Sequence, residues 1–171
     1  MKSIIKLSVV CLIVLSINSC KKEEQQTSSI TIKLKDAPAT AFQEVNVEVI
    51  GVQIHSNVSG RVSLNVNDSI YDLLLLQNNS NAVLSTMTLP SATVSQVRLI
   101  LGTHNTVKVN NVIYPLSLSS QDESGLKLNI HQTLVANQTY TLMLDFIASQ
   151  SVIQNGNGTY KLKPVLNAAF N

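Results

Sequence analysis

Tryptophan is absent, cysteine occurs twice, glycine 6 times and proline 4 times, and charged residues make up only 13% of a 171-residue chain. Each scarcity excludes something. So little Gly and Pro rules out collagen-like or proline-rich fibrous material. The charge content is about half the usual quarter, yet 44% of the residues are apolar, so the chain can bury a core and is not disordered by composition. Its surface must be built mainly from Ser, Thr, Asn and Gln. The 12 basic and 10 acidic residues nearly cancel, which leaves no basic footprint for a nucleic-acid partner.

The N-terminus stands apart. Lys2 and Lys6 flank the start of an almost wholly apolar run over residues 7–17, too short to span a bilayer comfortably and read as a secretory signal. It ends in Ile17-Asn18-Ser19-Cys20, which resembles the bacterial lipoprotein cleavage box. That resemblance implies a signal peptide over residues 1–19 and Cys20 as the lipidated first residue of the mature chain, with the membrane as partner through the lipid. Cys11 leaves with the signal, so the mature domain keeps no thiol for a disulfide, a metal or a nucleophile. Loss of Lys2 and Lys6 takes the 12 basic residues to 10, equal to the acids. Residues 20–29 lack apolar side chains beyond Cys20 and form a polar tether. Within it, Lys22-Glu23-Glu24 resembles the surface-export signal of Bacteroidota lipoproteins, which implies an outer-membrane, cell-surface location; the periplasmic face is the alternative.

Residues 30–171 read as a single domain with no linker-like break. Period-two alternation dominates: Ile30, Ile32 and Leu34 against Thr31, Lys33 and Lys35; Val97, Leu99 and Leu101 against Gln96 and Arg98; Leu126, Leu128 and Ile130 against Lys127, Asn129 and His131. Strands with one face inward and one outward pack as antiparallel sheets. One segment changes phase. Val45, Val47 and Val49 share a face, and the apolar set then moves to Ile50, Val52 and Ile54, so a β-bulge is expected near Ile50-Gly51, where Gly would tolerate an unusual backbone. Turn signals recur at residues 57–60, 65–68, 77–81, 90–91, 110–111 and 155–158. The fold class expected is all-β, an antiparallel β-sandwich of immunoglobulin-like or transthyretin-like Greek-key type. Helix is confined to a turn near residues 73–77 or 148–153. Residues 107–118 carry few charges and read as a candidate uncovered edge.

Several ordered motifs then carry a family resemblance: Leu34-Lys35-Asp36-Ala37-Pro38, Val52-Gln53-Ile54-His55, Arg98-Leu99-Ile100-Leu101-Gly102, Gly125-Leu126-Lys127-Leu128, Leu144-Asp145-Phe146 and Tyr160-Lys161-Leu162-Lys163-Pro164-Val165. Over residues 30–166 the chain resembles the domain of unknown function 4382 family. The resemblance implies a bacterial, commonly lipid-anchored, extracytoplasmic β-sandwich without an assigned activity. Where that family often has a second acidic residue after Asp-Phe, this chain has Ile147, so no metal held by paired carboxylates is expected.

Enzyme signatures are missing: no Gly-x-Ser-x-Gly, no His-Glu-x-x-His, no Cys-x-x-Cys, no phosphate loop. No catalytic residue and no cofactor is expected. His55, His104 and His131 are far apart in sequence, and the eight acids outside the tether offer no obvious pair for glycoside hydrolysis. Two polar groupings remain as candidate ligand or structural sites. Asp145, on the strand face of Met143 and Ile147, needs a partner if buried. The structural reading is an ion pair with Arg98 or backbone caps for each, and a cation or ligand site formed with the Asp36 loop is the functional alternative. The second is the loop Gly102-Thr103-His104-Asn105-Thr106, whose His104 and Asn105 could contact a ligand. Ser69, after Asp68, resembles an O-glycosylation acceptor of exported Bacteroidota proteins. The function expected is a non-catalytic, lipid-anchored accessory, adhesive or structural module engaging an envelope protein or glycan. A carbohydrate-binding module of a glycan-uptake system is the alternative, but Tyr71, Tyr114, Tyr140 and Tyr160 lie in strand patterns that favour core over a sugar platform.

Overall fold

The computed structural model describes residues 26–38, 41–66 and 69–171; Cys20, the signal and most of the tether lie outside them. Thirteen strands follow in order: β1 (Thr27–Asp36), β2 (Glu44–Ser56), β3 (Gly60–Leu64), β4 (Ser69–Asp72), β5 (Ala82–Pro90), β6 (Thr93–Leu101), β7 (Thr106–Val109), β8 (Val112–Leu118), β9 (Leu126–Thr133), β10 (Thr139–Phe146), β11 (Val152–Gln154), β12 (Tyr160–Leu162) and β13 (Leu166–Phe170). Two one-turn helices, α1 (Ser120–Glu123) and α2 (Ala148–Ser151), and a 3-10 turn at Leu73–Leu76 complete the described chain. Both helical sites expected from the sequence are occupied; α1 is additional, started by the Ser119 side chain capping the Asp122 N–H.

The fold is an all-β sandwich. A four-stranded sheet in the order β13-β10-β1-β5 faces a nine-stranded sheet built along β11-β12-β8-β7-β2-β6-β9, with β3 and β4 also on β2. The sheets are not wholly antiparallel as expected: β1 runs parallel to β10, and β12 parallel to β8. Alternation places Ile30, Ile32 and Leu34 of β1, Val97 and Leu99 of β6, and Leu142, Leu144 and Phe146 of β10 in one fully buried core. The third expected alternation is only half realised, because Leu126, Leu128 and Ile130 remain partly exposed on the outlying strand β9. β1 begins at Thr27, inside the stretch assigned to the tether, and pairs with both β5 and β10.

The phase change in β2 is a bulge, as expected. Its register with β6 slips between Val49 and Gly51, so Val49 and Val52 both point inward while Ile50 is 44% exposed. Gly51 does not have a left-handed backbone; the reason for glycine is proximity, since a Cβ there would lie 3.2 Å from Ile100 Cδ1. Asn110 and Asn111 both take positive φ, 50° and 64°, in the two-residue hairpin between β7 and β8. The segment read as an uncovered edge is one only in part. β7 lies between β2 and β8, and β12 covers Leu116–Leu118 of β8, while among the described residues Val112–Pro115 have no strand on that side.

Candidate functional site

Val49 pairs with Ser69 of β4 on one side and Leu101 of β6 on the other, and Asn46 pairs with Asp72 and with Thr106 of β7. β6 and β7 therefore run in line along the same edge of β2, interrupted by residues 102–105. The interruption is bridged by side chains. Gly102 N–H donates to the Glu48 carbonyl at 2.9 Å, and the Glu48 N–H donates to Asn105 Oδ1 at 2.9 Å while Asn105 Nδ2 donates to the Gly102 carbonyl at 2.7 Å. Asn105, 1% exposed, thus stands in for missing strand backbone. His104 closes the loop from outside: its N–H donates to Glu48 Oε2 at 2.9 Å and its Nδ1 lies 2.8 Å from Glu48 Oε1. The His104 backbone donor first, and its ring second, hold the Glu48 carboxyl below its ordinary range. Gly102 is demanded by this arrangement, because a Cβ would overlap the Glu48 carboxylate. The expected recognition loop is thus bound onto the neighbouring strand β2.

Asp145 and Arg98 do not pair. Lys35 Nζ donates to Asp145 Oδ2 at 2.6 Å across β1 and β10, on the outer face of the small sheet. Arg98 Nη1 instead donates to the Ser124 carbonyl at 3.0 Å, at the end of α1. The reason is topological: the two residues belong to different sheets and both side chains point outward. Asp36 is separate again. Buried at the end of β1, it accepts from the Ala148 N–H and Gln77 Nε2, each at 2.9 Å, and so fastens α2 to the strand. Burial raises its pKa above the ordinary value of 3.8 despite these donors. The candidates therefore sort into four places, and the Asp36–Asp145 grouping expected for a cation is divided between a buried cap and a surface ion pair. Among the described residues no group of three His, Cys, Asp or Glu gathers as a metal site, and no helix is long and apolar enough to cross a membrane.

Three of the surface concavities bear on the candidates. One of about 490 Å³ lies between α1, β8, β11 and β12 and is lined by Asp122, Ile153, Lys161 and Lys163 among others. A second, about 250 Å³, adjoins Asp145, Asn167 and Asn171. The third, about 330 Å³, is formed by His55, Arg61, Ser95, Gln96 and Asn129 on the outer face of the large sheet. Sequence reasoning did not group these last residues, because they come from four strands; the signal was there only as the outward phase of each alternation.

A family model for a domain of unknown function, DUF4382, matches residues 27–164. The chain belongs to the DUF4382 family. No curated protein and no solved structure matched it. The DUF4382 match starts with the first residue of β1 and ends just after β12, so it takes in every strand but β13 and every candidate residue from Asp36 to Asp145. Ser69, the glycosylation candidate, is exposed on β4, whereas Asp68 lies outside the described residues.

Proposed function

We propose that this DUF4382 chain is a non-catalytic binding module of the bacterial cell envelope, tethered to the outer membrane through lipid on Cys20 and displayed at the cell surface. The observation that carries the reading is how the chain enters the fold. Only residues 21–26 separate Cys20 from β1, and β1 is hydrogen-bonded along both edges, to β5 and to β10. The Gln26 and Thr27 carbonyls accept from the Ser91 and Asn137 N–H groups, each at 2.8 Å. A tether attached there pulls on an inner strand of a sheet, suited to holding a rigid module near a surface.

The polar candidates also support binding over catalysis. Glu48, Asn105 and Asp36 each hold backbone in place, and Asp145 is neutralised by Lys35; none converges on a common point where a reacting atom could sit. The carbohydrate reading cannot rest on an aromatic platform. Tyr114 packs at a tilt against buried Tyr160, ring centres 4.9 Å apart, the Tyr140 hydroxyl accepts from the Val135 N–H, and burial raises the Tyr71 pKa. Any sugar site must be polar.

Two measurements test the proposal on protein from native membranes. Mass spectrometry should find an acylated residue 20, and the full chain in detergent should bind delipidated envelope material saturably. An unmodified Cys20 removes the anchor, and the absence of saturable binding removes the module's role.

A further inference from the structure

The outer face of β3, β2, β6 and β9 carries two ordered rows of polar side chains. Cross-strand register aligns Ser63, Gln53, Arg98 and Lys127 in one row, and Arg61, His55, Gln96 and Asn129 in the next. All point away from the core, since Val52, Ile54, Val97 and Leu99 occupy the inward positions between them. Neighbours within a row are about one strand spacing, roughly 4.8 Å, apart. The face is cationic and contains no carboxylate in either row.

Arg98 and Lys127 are directly opposite each other, an arrangement of like charges that works against the sheet. The chain has the means to avoid it elsewhere: Lys35 is paired with Asp145 and Lys108 with Glu44. Among the described residues no carboxylate forms an ion pair with Arg61, Arg98 or Lys127, and the exposed end of Arg98 donates only to the Ser124 carbonyl, through Nη1. The amides are only loosely engaged, Gln53 with Ser63 at 3.2 Å and Gln96 with Asn129 at 3.3 Å. A face that tolerates repelling cations and weakly held amides is a candidate for a ligand that supplies the countercharge.

We propose that this face binds an extended anionic polysaccharide, with Arg61, Arg98 and Lys127 taking its carboxylates or sulfates and Gln53, Gln96 and Asn129 its hydroxyls. The proposal rests on the binding-module reading and names the ligand class for it. Three features choose a glycan over other polyanions. The row spacing is close to the length of one pyranose, so successive sugars meet successive strands. The amides and hydroxyls between the cations match a ligand that both donates and accepts. None of the large apolar side chains exposed on the molecule, such as Ile70, Leu75 or Val135, lies in the two rows, whereas protein interfaces and lipid surfaces call for an apolar centre. The concavity at His55, Arg61 and Asn129 gives the face a shallow seat.

The test uses the full chain in detergent against immobilised heparin and polygalacturonate, with dextran as a neutral glycan and phosphatidylglycerol vesicles as an anionic lipid surface. Both polyanions should bind and dextran should not, with affinity falling about tenfold from low salt to physiological ionic strength as the charges are screened. Arg61→Gln and Lys127→Gln should each weaken binding about tenfold, and Lys161→Gln, on β12 of the same sheet, should leave it unchanged. Lys127→Gln should melt no lower than the parent, because it removes a repulsion, so its loss of binding cannot be a loss of fold. Absence of polyanion binding, binding indifferent to Arg61→Gln and Lys127→Gln, or tighter binding to the vesicles would each overturn the proposal. Saturable envelope binding that persists without polyanion binding overturns the glycan assignment alone; loss of both overturns the binding-module reading too.

Discussion

The two halves of β2, divided by the bulge at Ile50, use the same kinds of side chain to opposite ends. Before the bulge, every outward acid is committed: Glu44 to Lys108 at 2.6 Å, and Glu48 to both the backbone and ring of His104. The Asp72 carboxylate accepts there too, from the Val45 N–H and from Leu74, where it caps the 3-10 turn. Beyond the bulge, Gln53 and His55 face Arg98, Arg61 and Gln96 with no acid among them. A single strand thus passes from a charge-balanced, internally satisfied surface to an unbalanced, open one. The difference teaches where polar residues serve the fold and where the fold leaves them available.

The sharpest way to break this contrast is at Asn105. Asn105→Ala strands the Glu48 N–H and the Gly102 carbonyl together, and an unsatisfied buried group costs about 1–3 kcal/mol, so a loss of about 3 kcal/mol is expected in chemical denaturation. Asn129→Ala, in the open half, should change stability by less than about 0.5 kcal/mol. Equal losses at the two sites would abolish the distinction. Gly102→Ala comes next, at about 2 kcal/mol of overpacking, because the Glu48 carboxylate must leave its place. Gly51→Ala meets only the terminal methyl of Ile100 at 3.2 Å and should cost under about 1 kcal/mol.

Acid should act on the first half of the strand and spare the second. Glu48 is held below its ordinary pKa of 4.5, so its contribution is complete above that value and lost as pH falls through the lower, folded one. Asp36 works in the opposite direction: with its folded pKa raised above 3.8, it opposes folding at neutral pH, and the penalty is relieved as the pH falls through the raised value towards 3.8. Denaturation midpoints followed from pH 7 to pH 3 should therefore show a smaller acid-induced loss in Glu48→Gln and a larger one in Asp36→Asn than in the parent. The reverse order would mean that the assigned hydrogen bonds are not the ones that matter.

How far these features can be read in a linear sequence depends on whether their cause is local. The alternations of β1 and β6 and the phase slip at Ile50 are local, and each is realised as a buried face or a bulge. The Asn-Asn turn is local as well. Strand partners are not. Residues 107–118 read as an edge because few charges cover them, yet β7 is flanked on both sides and β12, far along the chain, covers Leu116–Leu118 of β8, so the edge is left only at Val112–Pro115. Asp145 could be recognised as needing a partner, but choosing Lys35 over Arg98 requires knowing that β1 and β10 are parallel neighbours. Asn105 reads as a polar loop residue and is buried. Its one legible signal is position, an amide closing a four-residue gap between two apolar strand segments of like phase. The cationic face was the least legible, since its two rows exist only once four strands are in register.

The smallest effect expected is also the most direct way to turn one half of β2 into the other. Gln53→Glu places a carboxylate opposite Arg98, as Glu44 stands opposite Lys108 before the bulge. The new cross-strand pair should stabilise the domain by about 0.2–1 kcal/mol, and the gain should shrink at high salt because both groups are accessible to solvent. The same substitution supplies from within the countercharge otherwise left to a polyanion, so heparin affinity should fall as thermal stability rises. Opposed changes of that kind are what a surface kept unbalanced for a ligand produces. If the substitution instead destabilises the domain, the cations of the open half are already compensated by other groups, and the two halves of the strand differ less than their side chains imply.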